Sequence, residues 1–430
     1  MGQIKPAILL VDPVRNGAAY KSAVKDMGYA VVSLYSRRYS TAVSDHAKGD
    51  DTSLYAYTPD SAVDVLSTVD HDIRAVVPGM EAAVHLAGIL ADRLGLPGND
   101  PSLAWARRNK AAMRERAREA GVRIPQFRLV HEVPEIAAAA TEIGFPAIAK
   151  PTMGAGAHGT TLLPDAGALS HLEIPETRDI YDEPIREWLV EQYIRGREFS
   201  VNCLSSDGDH RVVDMWEYRQ PDDRDYDFPI WDNVQIDRDH PDWHQVSRFV
   251  HEVLTAYGIE RGPSHTEVKV SADGVYLMEV GARLPGGPAT EMWAKYSSVR
   301  PFHDSLECYL GKRPSIMDEP LGFRARYGAL AIRNDEAPGT LVAIHGLDLL
   351  AECPGIDQIL VDCEPGDHIP VTRSMDSIPV GAYVSGPDQE HVLRALATAR
   401  KLVRLEITPD PAPESGSSVA GRSGESGRAR

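Results

Sequence analysis

A chain of 430 residues exceeds the size at which a single hydrophobic core keeps growing, so two or three subdomains are expected. Its formal net charge of −18 argues against a protein that grips the backbone of DNA or RNA, whereas 43% apolar and 25% charged residues are ordinary for a globular enzyme. The four cysteines form no CxxC pair, which favours neither a zinc site nor a disulfide framework and fits the cytoplasm. No signal peptide or membrane-spanning stretch is visible, so we expect no membrane partner.

The first hundred residues alternate between buried-strand and helix patterns. Apolar runs at Ala7–Asp12, Tyr29–Tyr35 and Ile73–Val77 are separated or followed by helical stretches at Ala18–Met27 and Glu81–Leu94. This alternation predicts a small doubly wound α/β domain over residues 1–100. Its first turn, Asp12–Gly17, lacks the GxGxxG pattern, which argues against a dinucleotide site there.

A lysine-bearing helix and a glycine-rich loop follow. Asn99-Asp100-Pro101 is a helix-start signal, and the helix is predicted to continue through Lys110 to Ala120. Further on, Lys150 stands near the end of the predicted strand Ala147–Pro151 and directly precedes a loop with Gly154, Gly156 and Gly159. Because this lysine comes before the glycines, the segment is not a Walker A loop. Glycines still let backbone N–H groups approach phosphate oxygens closely.

Alternating residues and an irregular stretch come next. Residues Glu187 to Asn202 predict two strands joined by a short turn at Arg195–Arg197. From Asp214 to Asp242 the sequence is rich in Asp, Arg, Trp and Pro and has little periodicity. We interpret it as a long loop, and long loops inside compact domains usually have a function. A helix is predicted over His244–Tyr257.

Two carboxylates then fall on one predicted β-hairpin, Glu267 before the Asp-Gly turn and Glu279 after it. Side chains alternate along a strand, so His265, Glu267 and Lys269 share one face. Two acids side by side in a sheet repel each other unless a cation joins them. Carboxylate oxygens suit Mg²⁺, which favours one or two carboxylates plus substrate phosphates. Arg283 places a fixed positive charge beside this predicted metal site.

The last third of the chain predicts a helix at Phe302–Leu310 and then short strands and turns over residues 323–407, with a late helix at Gln389–Val403. We expect a C-terminal, mostly β element there. The final stretch, Pro409 to Arg430, consists largely of Pro, Ser, Gly and Arg and is predicted to be disordered.

These pieces, in this order, resemble the ATP-grasp superfamily. The resemblance implies an α/β and α+β architecture in which two subdomains close on ATP, preceded by a doubly wound preATP-grasp domain. The implied divisions are residues 1–100, 101–320 with a lid at 152–161, 321–408, and a tail at 409–430. It also implies ATP and Mg²⁺ as cofactors, with Mn²⁺ as an alternative metal, and a homodimer as in many relatives.

The resemblance assigns roles to matching residues. Lys110 and Lys150 meet the phosphates, with Lys150 and Arg283 as catalytic residues, and Glu267 and Glu279 hold the metal. Arg283 is implied to hold the acyl phosphate and its oxyanion. The implied lid contacts are Gly154, Gly156, His158 and Gly159. The hinge strand that holds adenine is implied to be Glu191, Gln192, Tyr193 and Ile194, and Glu198 is implied to bind the ribose hydroxyls. Candidate substrate contacts are His265, Trp216, Glu217, Gly286 and Gly287, together with Tyr218 and Trp231.

Many superfamily members carry an asparagine two residues after the second metal glutamate, where this chain has Gly281. That substitution removes a side-chain ligand and leaves the number of metal ions open. The variant pattern E-x-G-A-R-x-x-G-G is similar to the branch of L-amino acid ligases and related dipeptide synthetases. It implies ligation of a small carboxylate to an amine through an acyl phosphate, with release of ADP and phosphate.

Each motif alone has a plainer interpretation. Lys110 alone is a solvated helix lysine, the glycine loop an ordinary hairpin, and the paired glutamates edge-strand residues that face water. Only their joint order and spacing favour the ATP site. Two rivals also stay open: an ATP-grasp carboxylating or nucleotide-biosynthesis ligase, and a non-catalytic ATP-binding regulator. No nucleic-acid partner is expected from the charge.

Overall fold

The computed structural model describes residues 5–37, 46–172, 174, 178–179, 184–221 and 223–411. The segment 412–430, most of the predicted disordered tail, lies outside the described residues. Among the described helices, none is long and apolar enough to cross a membrane.

The N-terminal residues form a parallel four-stranded sheet with strand order β3-β2-β1-β4. Its strands are β1 (Lys5–Val11), β2 (Ala30–Tyr35), β3 (Thr52–Tyr55) and β4 (His71–Pro78), and its helices are α1 (Tyr20–Asp26), α2 (Pro59–Leu66) and α3 (Val84–Arg93). The predicted doubly wound arrangement is confirmed, since separate apolar clusters cover the two faces of the sheet. The sequence reading missed β3 and α2, because a four-residue, half-buried edge strand has too few alternations to register.

The helix predicted from Asn99 to Ala120 is interrupted. A short 3₁₀ turn at Pro101–Leu103 is followed by an irregular stretch, and α4 (Lys110–Glu119) begins afresh. Asn109 is extended and its side chain accepts a hydrogen bond from the N–H of Ala112 at 3.0 Å, which makes it the N-cap. Lys110 therefore stands in the first turn of α4, where its N–H donates to the carbonyl of Thr152 at 2.8 Å.

A second, antiparallel sheet has the strand order β5-β8-β6-β7. It consists of β5 (Phe127–Val130), β6 (Ala147–Pro151), β7 (Thr161–Leu163) and β8 (Trp188–Gln192), and α5 (Glu135–Ile143) packs on one side. Residues Lys150 and Glu191 lie on adjacent strands of this sheet, since β6 pairs with β8.

The largest sheet has eight strands in the order β13-β12-β9-β10-β11-β14-β18-β16. Its strands are β9 (Arg197–Ser206), β10 (Asp209–Arg219), β11 (Asp232–Gln235), β12 (Gly262–Ser271), β13 (Gly274–Gly281), β14 (Arg326–Ile332), β16 (Ile356–Val361) and β18 (Val380–Gly386). A three-stranded sheet is made by β15 (Gly339–His345), β17 (His368–Ile369) and β19 (Arg404–Pro409). The remaining helices are α6 (Trp243–Ala256), α7 (Ala289–Tyr296), α8 (Pro301–Tyr309), α9 (Leu347–Ala351) and α10 (Gln389–Leu402).

One sequence interpretation is confirmed and one is corrected by these sheets. The two strands predicted between Glu187 and Asn202 are present as β8 and β9, although β8 pairs within the four-stranded sheet and β9 within the eight-stranded one. The long loop predicted over Asp214–Asp242 is wrong in two places, since Asp214–Arg219 forms the end of β10 and Asp232–Gln235 forms β11. Pairing with two neighbouring strands supplied the order that its sequence pattern did not show.

The C-terminal element is joined to the main sheet. Strand β14 pairs with β11, and β18 and β16 continue the same sheet outward. The apolar side chains of α10 pack on Val234 and Leu330 within one core. The domain boundary at residue 321 stays a prediction, but β-sheet hydrogen bonds run across it.

Candidate active site

One cavity of about 680 Å³ lies where loops of the N-terminal sheet, the four-stranded sheet and the eight-stranded sheet meet. Most of the residues predicted from the sequence line it: Lys110, Lys150, Gly154, Gly156, His158, Glu191, Gln192, Tyr193, Ile194, Glu198, Trp216, His265, Glu267, Glu279, Arg283, Gly286 and Gly287. Gly159 and Glu217 are not in its lining. Residues more than 100 positions apart are thus brought into one site.

The two hairpin carboxylates face each other across adjacent strands. Glu267 on β12 is the direct partner of Glu279 on β13, and the register shifts immediately afterwards so that Met278 has no partner. This one-residue bulge directs both Met278 and Glu279 toward the cavity. Tyr218 donates its hydroxyl to Oε1 of Glu267 at 3.2 Å.

Lys110 forms an ion pair with Glu279. Its Nζ lies 3.1 Å from Oε1 of Glu279 and 3.4 Å from the carbonyl of Gly154. Burial by itself raises the pKa of Glu279, but the positive charges of Lys110 and Lys150 outweigh burial and lower that pKa to about 2. The carboxylate is therefore ionised at neutral pH and available to a cation.

Lys150 is paired with the hinge glutamate. Its Nζ lies 2.6 Å from Oε2 of Glu191, and Arg114 on α4 binds the same carboxylate through Nε and Nη2. The second bond, from Nη2 to Oε2, is 3.2 Å long, and Nη2 also donates to the carbonyl of Met278 at 2.7 Å. Burial raises the pKa of Glu191, yet the two cations outweigh it and the net shift is downward. Burial lowers the pKa of Lys150.

The predicted ribose acid, Glu198, is buried beside Lys269. Oε2 of Glu198 lies 3.2 Å from Nζ of Lys269, which in turn lies 4.7 Å from the centre of the Tyr193 ring. Burial raises the pKa of Glu198, and the nearby charge of Glu267 adds to this while Lys269 opposes it. The geometry leaves Glu198 on the cavity wall next to the hinge residue Tyr193.

Arg283 is held by the N-terminal domain. Its Nε donates to Oε2 of Glu81 at 2.6 Å, and Nη1 donates to the carbonyl of Leu284 at 3.0 Å. Glu81 is almost completely buried and comes directly after the turn that follows β4. The orientation of Arg283 is therefore fixed from outside the two subdomains that the resemblance assigned to ATP.

The glycine-rich loop contacts the C-terminal element. Gly156 and Gly159 have positive φ values of 65° and 71°, which glycine adopts without strain. The N–H of Met375 donates to the carbonyl of Gly156 at 3.0 Å. Gly159 sits at the base of the loop beside Thr160, which lines the cavity instead.

The predicted substrate residues divide by strand face. Trp216 and Tyr218 point into the cavity, whereas Glu217, between them, points to the opposite face near Arg219. Trp231 lies outside the lining, and the guanidinium of Arg333 lies 3.5 Å from the centre of its ring. These two positions therefore gain no support as substrate contacts.

A buried network lies behind Trp216 and His265. The indole N–H groups of Trp216 and Trp293 donate to Oδ2 of Asp214 at 2.8 and 2.7 Å. Asn202 links the other oxygen of Asp214, at 2.7 Å, to Nδ1 of His265, also at 2.7 Å. Burial raises the pKa of Asp214 although these donors oppose it. His265 is thereby held in a fixed orientation.

Several charged residues at the site escaped the sequence interpretation, among them Glu81, Arg114, Lys269 and Arg15. Arg114 is four residues after Lys110, so both lie on one face of α4, and this spacing was a usable signal. Lys269 shares a strand face with Glu267 and was noted only for that. Glu81 and Arg15 come from loops of another sheet, and no local pattern connects them to the hairpin.

Comparison with known proteins agrees with this geometry. The family model described as "ATP-grasp domain" matches residues 143–291, and the one described as "L-amino acid ligase C-terminal domain 2" matches residues 335–408. The chain thus carries an ATP-grasp domain followed by an L-amino acid ligase C-terminal domain. The predicted resemblance to the L-amino acid ligase branch is confirmed by the second match.

Individual relatives point to the same branch of the superfamily. Dapdiamide A synthase of Enterobacter agglomerans is 31% identical over 229 residues, which cover 50% of this chain and 52% of that protein. The L-arginine-specific L-amino acid ligase of Bacillus subtilis is 24% identical over 340 residues, 78% of this chain and 80% of that protein. The crystal structure of an L-amino acid ligase from Bacillus licheniformis has the same fold, with a TM-score of 0.74 at 18% identity, over 94% of this chain and 100% of that one.

Proposed function

We propose that this ATP-grasp chain is a carboxylate–amine ligase that condenses small acids, such as amino acids, with amines and releases ADP and phosphate. The observation that carries the proposal is the opposed pair Glu267 and Glu279, with Lys110 on Glu279 and Lys150 nearby in one cavity. The similarity to an L-arginine-specific L-amino acid ligase and to dapdiamide A synthase supports the same reaction class.

The two carboxylates fit a divalent cation. ATP-grasp ligases in general use ATP with Mg²⁺, and Mn²⁺ is an alternative with the same oxygen preference. Among the described residues no group of three or more His, Cys, Asp or Glu side chains could hold a metal, so the remaining ligands would be phosphate oxygens and water. When bound, the ion would offset the charge of the β- and γ-phosphates.

Other residues of the chain would bind the phosphates, adenine and ribose of ATP. Lys110 and Lys150 are point charges for phosphate oxygens, and each would exchange its glutamate partner for the nucleotide. The hinge residues Gln192 to Ile194 offer backbone groups for adenine, and Glu198 offers a carboxylate for the ribose hydroxyls. Glu191 would keep Arg114 as its partner when Lys150 turns to the nucleotide.

We assign Arg283 to act on the organic acid. A carboxylate becomes reactive toward an amine only after its oxygen carries a phosphoryl group, and the amine then attacks through a tetrahedral oxyanion. A guanidinium held by Glu81 is already oriented at the cavity wall, so it can stabilise that oxyanion with little reorganisation. The loop from Gly154 to Gly159 would exclude the water that competes with the amine.

A matrix of amino-acid pairs, scored for phosphate release and by mass spectrometry of products, tests the proposal. We expect phosphate release that depends on both an acid and an amine, with a condensed product of matching mass. Formation of AMP and pyrophosphate would reject the acyl-phosphate route. ATP hydrolysis that no acid or amine stimulates would instead favour a regulator.

Variants of one residue type sharpen the test. We expect Glu279→Gln to lose product formation by about a hundredfold or more, because it removes a negative charge from the metal site. Glu319→Gln is the matched control, since Glu319 is exposed and outside the cavity lining. Equal activity in both variants would remove the metal assignment.

Two further expectations concern the whole particle. The resemblance implies a homodimer, which sedimentation analysis of the purified chain tests directly. The scattered cysteines favour the cytoplasm, and localisation of the tagged protein in its host checks that assignment.

A further inference from the structure

The cavity is lined by five lysine and arginine side chains, and four of them are paired with a glutamate. The N–O distances are 3.1 Å for Lys110 and Glu279, 2.6 Å for Lys150 and Glu191, 3.2 Å for Lys269 and Glu198, and 2.6 Å for Arg283 and Glu81. Arg15, which is exposed, is the fifth, and it forms no ion pair with any acid among the described residues. The cavity therefore offers one positive charge that the protein itself does not neutralise.

Arg15 lies on a loop whose backbone is closely packed. A Cβ atom added to Gly17 would lie 2.1 Å from the carbonyl oxygen of Gly79, and one added to Gly79 would lie 2.5 Å from that of Asp12. The two loops thus pack backbone against backbone at the end of the parallel sheet. Arg15 itself has a φ of 51°, a left-handed conformation that is uncommon for a residue with a side chain and is concentrated at functional sites.

The same wall carries the anchor of Arg283. Glu81 follows Gly79 by two residues, and its carboxylate binds Arg283. Arg15 and the residue that anchors Arg283 therefore belong to two adjacent loops of the N-terminal sheet, whereas Lys110 and Lys150 come from α4 and β6. The charge of Arg283 is balanced by Glu81, and the charge of Arg15 is left for a substrate.

The chemistry of ligation indicates which substrate group this is. The carboxylate of the donor acid loses its charge when it becomes the acyl phosphate, and the ATP phosphates are matched by Lys110 and Lys150. When the amine nitrogen bonds to the acyl carbon, the C–O bond to phosphate breaks and phosphate leaves with that electron pair, while the amine proton passes to solvent. An amino acid acceptor keeps its own carboxylate through every step, and it becomes the C-terminal carboxylate of the product.

We propose that Arg15 binds the carboxylate of the acceptor, so that the enzyme selects α-amino acids over simple amines. This inference rests on the proposed ligase function. A guanidinium binds a carboxylate through two parallel hydrogen bonds, which fixes the orientation of the acceptor as well as its charge. The amine is thereby aimed at the acyl phosphate next to Arg283.

The test compares an acceptor amino acid, identified in the amino-acid matrix, with its own carboxamide. In the wild type we expect the KM of the amino acid to be lower than that of the carboxamide. Arg15→Gln should raise the KM of the amino acid by roughly tenfold or more and leave that of the carboxamide unchanged, because only the former has the charge to lose. The KM values of ATP and the donor acid should stay constant.

Arg74→Gln is the matched control, because Arg74 lies exposed on β4 outside the cavity and pairs with Asp72. It should change none of these constants. If Arg15→Gln raises the KM of the amino acid and that of its carboxamide equally, the inference is overturned. If it raises the KM of the donor acid or of ATP, Arg15 binds that ligand instead. If the wild type condenses no pair of substrates, the proposed ligase function is wrong. If the wild type is active and Arg15→Gln changes no KM, only the role of Arg15 is wrong.

Discussion

At the scale of single residues, the positively charged side chains of the site are held in ion pairs with glutamates. Lys110 and Lys150 face the same cavity. Glu279 and Glu191 neutralise their charges, so the repulsion between the two lysines is offset. A buried ion loses several kcal/mol of hydration, and only a partner at hydrogen-bond distance offsets that loss. Phosphate oxygens can then replace a carboxylate partner without the lysine passing through an unpaired state.

The Lys110–Glu279 pair predicts a pH dependence of stability in the metal-free protein. The pKa of Glu279 is lowered to about 2 from 4.5, so its contribution to the free energy of unfolding is complete above 4.5 and is lost as the pH falls toward 2. We expect Glu279→Gln to be less stable than the wild type at neutral pH, with a difference that shrinks below pH 4.5. Urea titrations in the presence of a chelator measure this.

The control for this pH series is Glu319→Gln, whose stability should follow that of the wild type at every pH. A gap between Glu279→Gln and the wild type that keeps its size well below pH 4.5 would contradict the assigned ion pair.

Arg114 predicts a larger effect on stability. Its side chain is fully buried and connects Glu191 of the four-stranded sheet to the carbonyl of Met278 in the eight-stranded sheet. Arg114→Met should lower the free energy of unfolding by about 3–5 kcal/mol, since it leaves part of a buried carboxylate without a partner. Circular dichroism during urea unfolding would measure the loss.

Arg118→Met is the comparison for Arg114→Met, because Arg118 is exposed on the same helix, where it pairs with Glu115 and lies over the ring of Phe127. Its expected cost is below about 1 kcal/mol. Similar costs for the two variants would show that the buried bridge has no special role.

At the scale of elements, the chain crosses from one sheet to another within four residues. Strand β8 ends at Gln192 and β9 begins at Arg197, so the predicted adenine hinge is the link between the two sheets. A Cβ atom on Gly196 would lie 2.3 Å from the carbonyl oxygen of Val270, which leaves no room for any other residue. The link is therefore pressed against β12, directly beside the carboxylate hairpin.

Gly196→Ala should push this link away from β12. We expect it to lower stability by about 1–3 kcal/mol through overpacking, and to raise the KM of ATP because the hinge moves relative to Glu267. Thermal unfolding and ATP-dependent rates measure both effects. Gly322→Ala is the control, because its added carbon meets no atom within 4 Å, and it should leave both quantities unchanged. If Gly196→Ala changes neither stability nor the KM of ATP, the close packing is disproved.

At the scale of the whole molecule, one sheet joins the catalytic hairpin to the C-terminal element. The edge strand β13 carries Glu279, and seven strands away β16 belongs to the segment after residue 321. The buried side chain of Val234 packs with Leu330, Val384 and Leu396 in one core. The C-terminal element is thus part of the structure that supports the site, and Met375 also contacts the lid.

Truncation tests this continuity. A chain that ends at residue 321 should fail to unfold cooperatively, because β11 would become an exposed edge and the core around Val234 would lose its cover. A chain that ends at residue 411 removes the segment predicted to be disordered and should keep its stability and activity. Thermal unfolding of the two truncated chains is compared with that of the full chain. A stable chain of residues 1–321 would show that the C-terminal element is a unit independent of the rest.

The sequence by itself determined the local chemistry of this protein. The hairpin of Glu267 and Glu279, the strand before Lys150 and the glycine loop were all readable, because turn residues and alternation act over a few positions. Their order along the chain was enough to predict the superfamily. The strand at Asp214–Arg219 and the break before Lys110 were not readable, since sheet pairing and a cap decided them.

Only the tertiary structure decided which charges meet. Glu81 and Arg283 are 202 positions apart, Lys110 and Glu279 are 169 apart, and no periodicity in the sequence encodes such distances. Ion pairs of this kind depend on how three sheets pack, which is the sum of many apolar contacts rather than any local preference. For the same reason Arg15 became visible as an unpaired charge only after every other cation in the cavity had found its partner.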